Sequence, residues 1–209
     1  MKRITLTIMI VCCALAMVAQ DAFLVKYKGA KPNIRDFARA YIDHMCTPCD
    51  DEEEDECCRE GLSLFENLEE AIQNQDKGLP LDENETLTID VKNGYLLYEI
   101  RRDDSDLLSR LEMCYWNEPD GKHKLFAINR WSYSDGKPLL GQYDAFIFYR
   151  YDNAKKRMEG CDPPGFDMEY MNKSYALPRK GKDIVVTTWN ENGTKTQQTL
   201  KWNGKRFSY

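Results

Sequence analysis

The segment LTIDVKNGYLLYEI, residues 87–100, decides the fold of this chain. In its first half apolar and polar residues alternate, which is the period of a strand with one buried face. Asn93-Gly94 predicts a two-residue hairpin turn, and the apolar run from Tyr95 to Ile100 returns as the partner strand. The segment therefore predicts an antiparallel hairpin in a β-rich core.

The chain downstream of this hairpin continues in the same pattern. Six further segments are predicted to be strands: 111–116, 124–131, 145–151, 183–189, 194–202 and 205–209. The turn Pro119-Asp120-Gly121 joins the first two, and Asn192-Gly193 and Asn203-Gly204 join the last three into a meander. Residues 159–182, rich in Gly, Pro and Lys, predict a long connection.

Upstream of the hairpin, apolar residues recur at the spacing of helices. Asn33 suits the N-cap of a helix that runs to about Met45, with this apolar stripe: Ile34, Phe37, Ala38, Tyr41, Ile42 and Met45. A second helix is predicted from about Leu62 to Gln75, with this stripe: Leu64, Phe65, Leu68, Ala71 and Ile72.

Two helices followed by about eight or nine strands predict a single α+β domain over residues 33–209, helical in 33–80 and mainly antiparallel β in 81–209. The helices are expected to pack on one face of a curved antiparallel sheet. A β-sandwich or partial barrel with a helical cap is the alternative. Residues 20–32 lack periodicity and predict an irregular leader.

Residues 1–19 predict a secretory signal peptide, because Lys2 and Arg3 precede an uncharged apolar run that ends among alanines. The run is shorter than the roughly 20 residues that span a bilayer. Cleavage is expected after Ala19, with cleavage after Ala16 as the alternative. We therefore expect a periplasmic or secreted protein with no stable membrane insertion.

The charge of the chain argues against a nucleic acid partner. Cleavage after Ala19 removes Lys2 and Arg3 from the 29 basic residues and none of the 35 acidic ones, which leaves a net charge of −8. A polyphosphate backbone is repelled by this charge on average.

Six of the eight cysteines remain after cleavage, and all are disulfide candidates: Cys46, Cys49, Cys57, Cys58, Cys114 and Cys161. An even number of cysteines in an exported chain favours disulfides, although sequence alone leaves their pairing open. Four of them lie within residues 46–58, so at least one bridge is expected to close this loop. Such a bridge stabilises a fold by about 2–4 kcal/mol.

Cys46-Thr47-Pro48-Cys49 has the C-x-x-C spacing of thiol oxidoreductases, whose reactive thiol lies at a helix N-terminus. Here the motif follows a helix and precedes the carboxylates of residues 50–56, which raise a thiol pKa. A structural disulfide is therefore the favoured interpretation of this motif.

The same region offers possible metal ligands. His44, Cys46, Cys49 and either Cys57 or Cys58 supply enough nitrogen and sulfur for tetrahedral zinc, yet thiols in an oxidising compartment tend to pair first. The seven consecutive carboxylates of residues 50–56 lack the alternate spacing and the Gly of a calcium loop, and predict a solvated loop. No metal or cofactor is expected.

Three strings in the β region resemble those of uncharacterised exported proteins of Bacteroidales: Lys92-Asn93-Gly94-Tyr95, Met113-Cys114-Tyr115-Trp116-Asn117 leading into Asp120-Gly121-Lys122, and Phe148-Tyr149-Arg150-Tyr151-Asp152. The similarity covers most of residues 33–160. Because the strings are hairpin motifs, the resemblance implies a periplasmic or secreted bacterial protein and assigns no site residue.

Motifs of common hydrolases do not occur, since the chain has neither G-x-S-x-G nor H-E-x-x-H. His44 and His123 are its two histidines, and His123, in a hairpin turn, is expected at the surface. The sequence therefore predicts a non-enzymatic binding or structural domain at the bacterial envelope, with another envelope protein or a glycan as its partner.

Two aromatic residues are the candidates for that binding surface. Most tyrosines and tryptophans in alternating strands fill a core, whereas Trp202 and Tyr209 lie near turns and are expected to be exposed. The alternative function is an envelope enzyme, either a carboxylate-based hydrolase or a thiol oxidoreductase that uses Cys46 and Cys49.

Overall fold

The computed structural model describes residues 22–46, 56–102, 106–139, 145–169, 172–190 and 194–209, with the backbone alone at 56–62 and 145. The helices are α1 (Ile34–Met45) and α2 (Glu56–Lys77). The strands are β1 (Ala22–Leu24), β2 (Glu85–Asp90), β3 (Tyr95–Arg101), β4 (Leu108–Asn117), β5 (His123–Ser134), β6 (Lys137–Pro138), β7 (Ala145–Asp152), β8 (Arg157–Cys161), β9 (Lys173–Ala176), β10 (Ile184–Trp189), β11 (Lys195–Trp202) and β12 (Phe207–Ser208). The predicted α+β class is confirmed.

The strands form two antiparallel sheets. The larger has the order β1-β8-β7-β5-β4-β3-β2, with β6 beside β5, and the smaller has the order β12-β11-β10-β9. The sequence predicted one sheet, but the C-terminal meander forms a second one because its apolar side chains are buried against the larger sheet. The fold thus combines the predicted helical face with the sandwich of the alternative.

The hairpin of residues 87–100 is confirmed, with Glu85 opposite Ile100 and Asp90 opposite Tyr95. Its turn has four residues, not two. Gly94 donates its N–H to the carbonyl of Val91 at 3.3 Å, and Asp90 accepts the N–H of Asn93 at 3.1 Å. Val91, predicted to end the strand, therefore lies in the turn and is exposed.

Both helices pack on one face of the larger sheet. Asn33 caps α1 as predicted, since its side chain accepts the N–H of Arg35 at 2.8 Å and Asp36 accepts the N–H of Asn33 at 2.8 Å. The predicted stripes of both helices are buried except for Met45, which is exposed at the end of α1. The Phe37 ring lies 5.0 Å from that of Tyr151, which anchors α1 to the sheet.

The opposite face of the larger sheet is covered by the smaller sheet, and aromatic side chains fill the space between them: Trp116, Trp131, Phe146, Phe148, Tyr175, Trp202 and Phe207. The region 159–182, predicted as a long connection, contributes β9 to this second core.

The N-terminal part of the described chain differs from its prediction. Within the predicted irregular leader, β1 pairs with β8, with Phe23 opposite Met158. Neither helix, over the residues that the structure describes, has an apolar stretch of the length that a membrane crossing needs. The predicted signal peptide, residues 1–19, lies outside the described residues.

Candidate functional site

A cleft opens where the inner face of the larger sheet extends past the smaller sheet. Alternate side chains of β4, β5 and β7 face the smaller sheet, and Trp116, Leu125 and Phe148 are buried there. One step further along the same face, the alternation brings charged residues in place of apolar ones. On this face the cleft is lined by Glu118, two residues after Trp116, and by Arg150, two residues after Phe148.

Four segments form the walls of this cleft, which has a volume of about 470 Å³. They are the β4–β5 turn, β7, the end of β8 with the residues after it, and the β11–β12 turn. The polar and aromatic residues that they contribute are Glu118, Asp120, Arg150, Cys161, Asp162, Trp202 and Lys205.

The two turns that belong to different sheets touch at the cleft. A Cβ atom at Gly204 would lie only 2.9 Å from Cγ of Pro119, so the β11–β12 turn lies directly against the β4–β5 turn. Gly204 has a φ of +101°, which a side chain would strain. Asn203 accepts the N–H of Lys205 at 2.9 Å and thereby fixes the turn that carries this lysine.

Glu118 and Arg150 form a bidentate ion pair at the cleft wall. Nε of Arg150 donates to Oε1 at 2.8 Å and Nη2 donates to Oε2 at 2.5 Å. Leu125 on β5 is opposite Arg150 of β7 on one side and opposite Trp116 of β4 on the other. The ion pair therefore reaches across β5, over the side chain of Leu125. The hydrogen bond with Glu118 raises the pKa of Arg150, which keeps this guanidinium charged.

Asp120 organises the neighbouring turn. One of its oxygens accepts the N–H groups of Lys122 and His123 at 2.8 and 3.0 Å, and the other lies 2.5 Å from Nδ1 of His123. The hydrogen bond from His123 is the largest cause that lowers the pKa of Asp120 to about 2. Asp120 is therefore an anion throughout the physiological pH range.

The predicted surface residue His123 is half-buried between two carboxylates. Its Nε2 lies 3.9 Å from Oδ2 of Asp152, across from the Asp120 contact. Glu118, Asp120 and His123 can each bring one ligand atom within 4.8 Å of the others. Such a group could hold a metal ion. In this structure both oxygens of Glu118 instead accept hydrogen bonds from Arg150, whose guanidinium supplies a positive charge where a metal ion would.

The two predicted binding aromatics have different positions. Tyr209 is exposed as predicted, but Trp202 is only 9% exposed, because its ring packs 4.7 Å from that of Phe207. The prediction that Trp202 is exposed is therefore wrong. Trp202 nevertheless lines the cleft and supplies part of its apolar floor, whereas Tyr209 is not among the lining residues.

Three disulfide candidates, Cys46, Cys114 and Cys161, are free thiols in this structure, which does not support bridges through them. Cys114 is buried between the sheets, and Cys161 lies at the cleft. The other three candidates, Cys49, Cys57 and Cys58, lie outside the described side chains, as do residues 50–55 of the acidic loop.

Two of the proposed redox and zinc ligands, His44 and Cys46, lie at the C-terminal end of α1. Burial, followed by the charges of Glu66, Asp43 and Glu69, raises the pKa of Cys46, which opposes the thiolate that redox catalysis needs. The ring of His44 stacks on that of Phe23 with centroids 4.5 Å apart. The remaining members of these sets, Cys49, Cys57 and Cys58, lie outside the described side chains.

The Cys161 thiol is expected to react slowly. Cys161 is exposed as a residue, but partial desolvation of its thiol raises the pKa to about 11 despite the opposing charge of Arg150. At pH 7.5 we therefore expect iodoacetamide to alkylate it about tenfold or more slowly than an ordinary thiol. Peptide mass spectrometry over a time course measures this rate, with the urea-unfolded protein as the control. Equal rates in the folded and unfolded protein would contradict the expectation.

Sequence reasoning did not identify Glu118, Arg150 or Lys205 as site residues. A signal for Arg150 was present, because it takes an inward-facing position after Phe146 and Phe148. A charged side chain at an inward-facing position indicates that the buried part of the strand ends there and that the face beyond it is open to solvent. Comparisons with protein-family models, with curated proteins and with solved structures find no match for this chain.

Proposed function

We propose that this protein is an exported, non-enzymatic binding domain of the bacterial envelope and that the cleft between its two sheets binds a glycan. The observation that carries the proposal is the Glu118–Arg150 pair at the wall of a concave site. The signal peptide predicted at residues 1–19 supports export, and the disulfide expectation for the loop of residues 46–58 is part of the same proposal.

The pair offers an acceptor and a donor side by side, which suits a ligand with neighbouring hydroxyl groups. A hydroxyl both donates and accepts, so one sugar hydroxyl can donate to Glu118 while the next accepts from Arg150. The Arg150 side chain is 50% exposed, so its remaining N–H groups are open to such a ligand. Leu125 and Trp202 supply an apolar floor for the C–H face of a sugar ring.

The size of the cleft favours a small ligand or a chain end over a protein surface. Its volume of about 470 Å³ lies in the range of small-molecule sites. A stable protein interface instead buries about 800 Å² on each partner and is rarely so concave. Glycan binding is therefore the better supported of the two predicted partner classes.

The pKa shifts at the site do not favour the hydrolase alternative. A glycosidase needs one carboxyl group that stays protonated near neutral pH. The pKa values of Asp120 and Asp152 are both lowered, chiefly by hydrogen bonds from His123 and from the N–H of Lys155. Burial raises the pKa of Glu112, but this residue is not among those that line the cleft. Its carboxyl group accepts hydrogen bonds from Tyr95, Asn129 and Leu177 between the sheets.

Glycan binding is expected to depend on the cations of the cleft. The mature chain, from Gln20, would be applied to an array of bacterial, plant and mucin glycans, followed by calorimetry with the strongest binder. We expect Arg150→Ala and Lys205→Ala each to weaken binding about tenfold or more, since each removes a charged donor. Lys201→Ala is the control, because Lys201 is an exposed lysine on the preceding strand and outside the cleft lining.

Three outcomes of this experiment would contradict the proposal. The first is the absence of binding to every glycan on the array. The second is binding that Lys201→Ala weakens as much as the two cleft substitutions do. The third is turnover of a glycan that Glu118→Gln or Asp120→Asn abolishes, which would make the protein an enzyme.

A further inference from the structure

The strand β11 has a free edge over most of its length. On one side it pairs with β10 from Lys195 to Leu200, and on the other side β12 pairs only with Lys201 and Trp202. In the described part of the chain, no strand pairs with residues 195–199 on the side away from β10. All five of these residues are exposed, so the edge is open to solvent.

The hydrogen bonds at the two ends of β11 show which backbone groups face this edge. Asn203 donates its N–H to Arg206 across the β12 turn, whereas the N–H of Trp202 points to Asp183 beside β10. Backbone direction alternates along a strand. The N–H and C=O groups of Lys195, Gln197 and Thr199 therefore point away from β10, toward the open edge.

The open stretch lacks the features that protect edge strands from pairing. Residues 196–199 are Thr-Gln-Gln-Thr, with no charge, proline or glycine. Natural edges are usually blocked by charges, prolines or bulges, because an unprotected edge pairs with another strand. The nearest charge, Nζ of Lys195, lies 5.4 Å from the centre of the Trp189 ring and thus points back over the neighbouring strand.

We infer that this protein forms a homodimer in which the β11 edges of two copies pair antiparallel and join the two smaller sheets. A two-fold axis perpendicular to the sheet keeps equivalent faces on the same side, so paired residues must have the same parity. Only a pairing centred on Gln197 matches all five open residues, 195–199, with one another. Centring on Gln198 would place Lys195 opposite Lys201 of the second copy, and Lys201 already pairs with Ser208.

The register centred on Gln197 avoids both problems. It places Gln197 opposite its own copy, Lys195 opposite Thr199, and Thr196 opposite Gln198. No like charges face each other, and the outward N–H and C=O groups of residues 195, 197 and 199 all meet partners. Because the stretch is uncharged and pairs with itself without a charge conflict, we infer that the partner strand is the β11 edge of a second copy of this chain.

The dimer is tested with charges at its two-fold axis. Gln197→Lys places two lysines directly opposite each other, and we expect it to weaken dimerisation of the mature chain at least fivefold. Gln197→Glu should do the same, while an equimolar mixture of the two variants should recover the dimer, because a lysine then faces a glutamate across the axis. Analytical ultracentrifugation over roughly 1 to 500 µM measures the dissociation constant.

Gln198→Lys is the control, because Gln198 is also an exposed glutamine and faces Thr196 in the inferred register. Gln197 additionally donates a hydrogen bond to Oγ1 of Thr187 at 3.2 Å, and recovery of the dimer in the mixture of Gln197→Lys and Gln197→Glu separates the charge effect from the loss of this bond. We expect Gln198→Lys to change the dissociation constant less than threefold. A monomer at every concentration would overturn the inference, as would a dimer that Gln197→Lys leaves unchanged. Equal losses from Gln197→Lys and Gln198→Lys would overturn the register. None of these outcomes bears on the cleft, which residues 195–199 do not line.

Discussion

Replacing Gly94 by alanine is expected to lower the free energy of unfolding by about 2–4 kcal/mol. Gly94 closes the β2–β3 turn with a φ of +66°, a conformation that costs an L side chain about 1–2 kcal/mol. A Cβ atom there would also lie 2.7 Å from Cε1 and 2.9 Å from Cζ of Tyr115. The added methyl group would therefore force this ring to move.

The Tyr115 ring has little room to move. It packs edge-on against Phe37 with ring centroids 5.2 Å apart, and Phe37 is fully buried in α1. Nζ of Lys124 lies 4.6 Å from the centre of the same ring. Displacing Tyr115 therefore disturbs the contact between α1 and the larger sheet, and overpacking of this kind typically costs about 1–3 kcal/mol.

Gly121→Ala measures the free-energy cost of the backbone conformation without the cost of the clash with Tyr115. Gly121 has the same φ of +66°, but a Cβ atom there would meet nothing within 4 Å. We expect this variant to lose only the backbone part, about 1–2 kcal/mol, in urea unfolding followed by tryptophan fluorescence. Equal losses for the two variants would show that the contact with Tyr115 contributes nothing.

The local elements of this fold were predictable because short-range patterns encode them. The hairpin at residues 87–100, the cap at Asn33 and the buried stripes of both helices follow from periodicity and turn chemistry. The four-residue turn was not predicted, because the side chain of Asp90 accepts the Asn93 N–H and moves Val91 out of the strand. Such side-chain competition is difficult to weigh from sequence.

The division into two sheets could not be read from strand patterns. A strand with one buried face looks the same whether that face meets a helix or another sheet. The cleft depends on the same long-range choice, because Glu118 and Arg150 are 32 residues apart and meet only once β4, β5 and β7 are aligned. The burial of Trp202 likewise results from packing against Phe207 after the β11–β12 turn.

Glu112 is a buried carboxyl group that ties the two sheets together. It lies on β4, facing the smaller sheet, and is 5% exposed. It accepts hydrogen bonds from the N–H of Leu177 at 3.0 Å, from Nδ2 of Asn129 at 3.2 Å and from the hydroxyl of Tyr95 at 3.2 Å. The side chain of Asn129 also donates to the carbonyl of Tyr175 at 2.8 Å. Glu112 and Asn129 together therefore hold the end of β9 at Tyr175 and the residue just after β9, Leu177.

We expect Glu112→Leu to be about 2–4 kcal/mol less stable than Glu112→Gln. Both variants remove the charge, but only glutamine keeps an acceptor for the Leu177 N–H, and its amide group can donate to the Tyr95 oxygen. Leucine leaves the donors of Leu177 and Tyr95 unpaired, and each unpaired buried donor costs about 1–3 kcal/mol. Urea unfolding at one pH measures the difference, and equal stability of the two variants would refute the anchoring role.

The pH dependence of the wild-type protein tests the charge of Glu112 separately. Burial is the largest cause that raises its pKa, against the opposing hydrogen bonds from Leu177 and Asn129. A raised pKa means that the folded state favours the protonated carboxyl group. The resulting stability is therefore complete below the ordinary glutamate pKa and is lost as the pH rises through the raised value.

Glu112→Gln has no such dependence at this position. Its stability should match that of the wild type near pH 4 and exceed it progressively as the pH rises, by about 1.4 kcal/mol for each unit by which burial raises the pKa. The difference in unfolding free energy between the two proteins, measured in urea from pH 4 to 8, cancels the titration of all other groups. A difference that stays constant with pH would show that Glu112 titrates as an ordinary carboxyl group despite its burial.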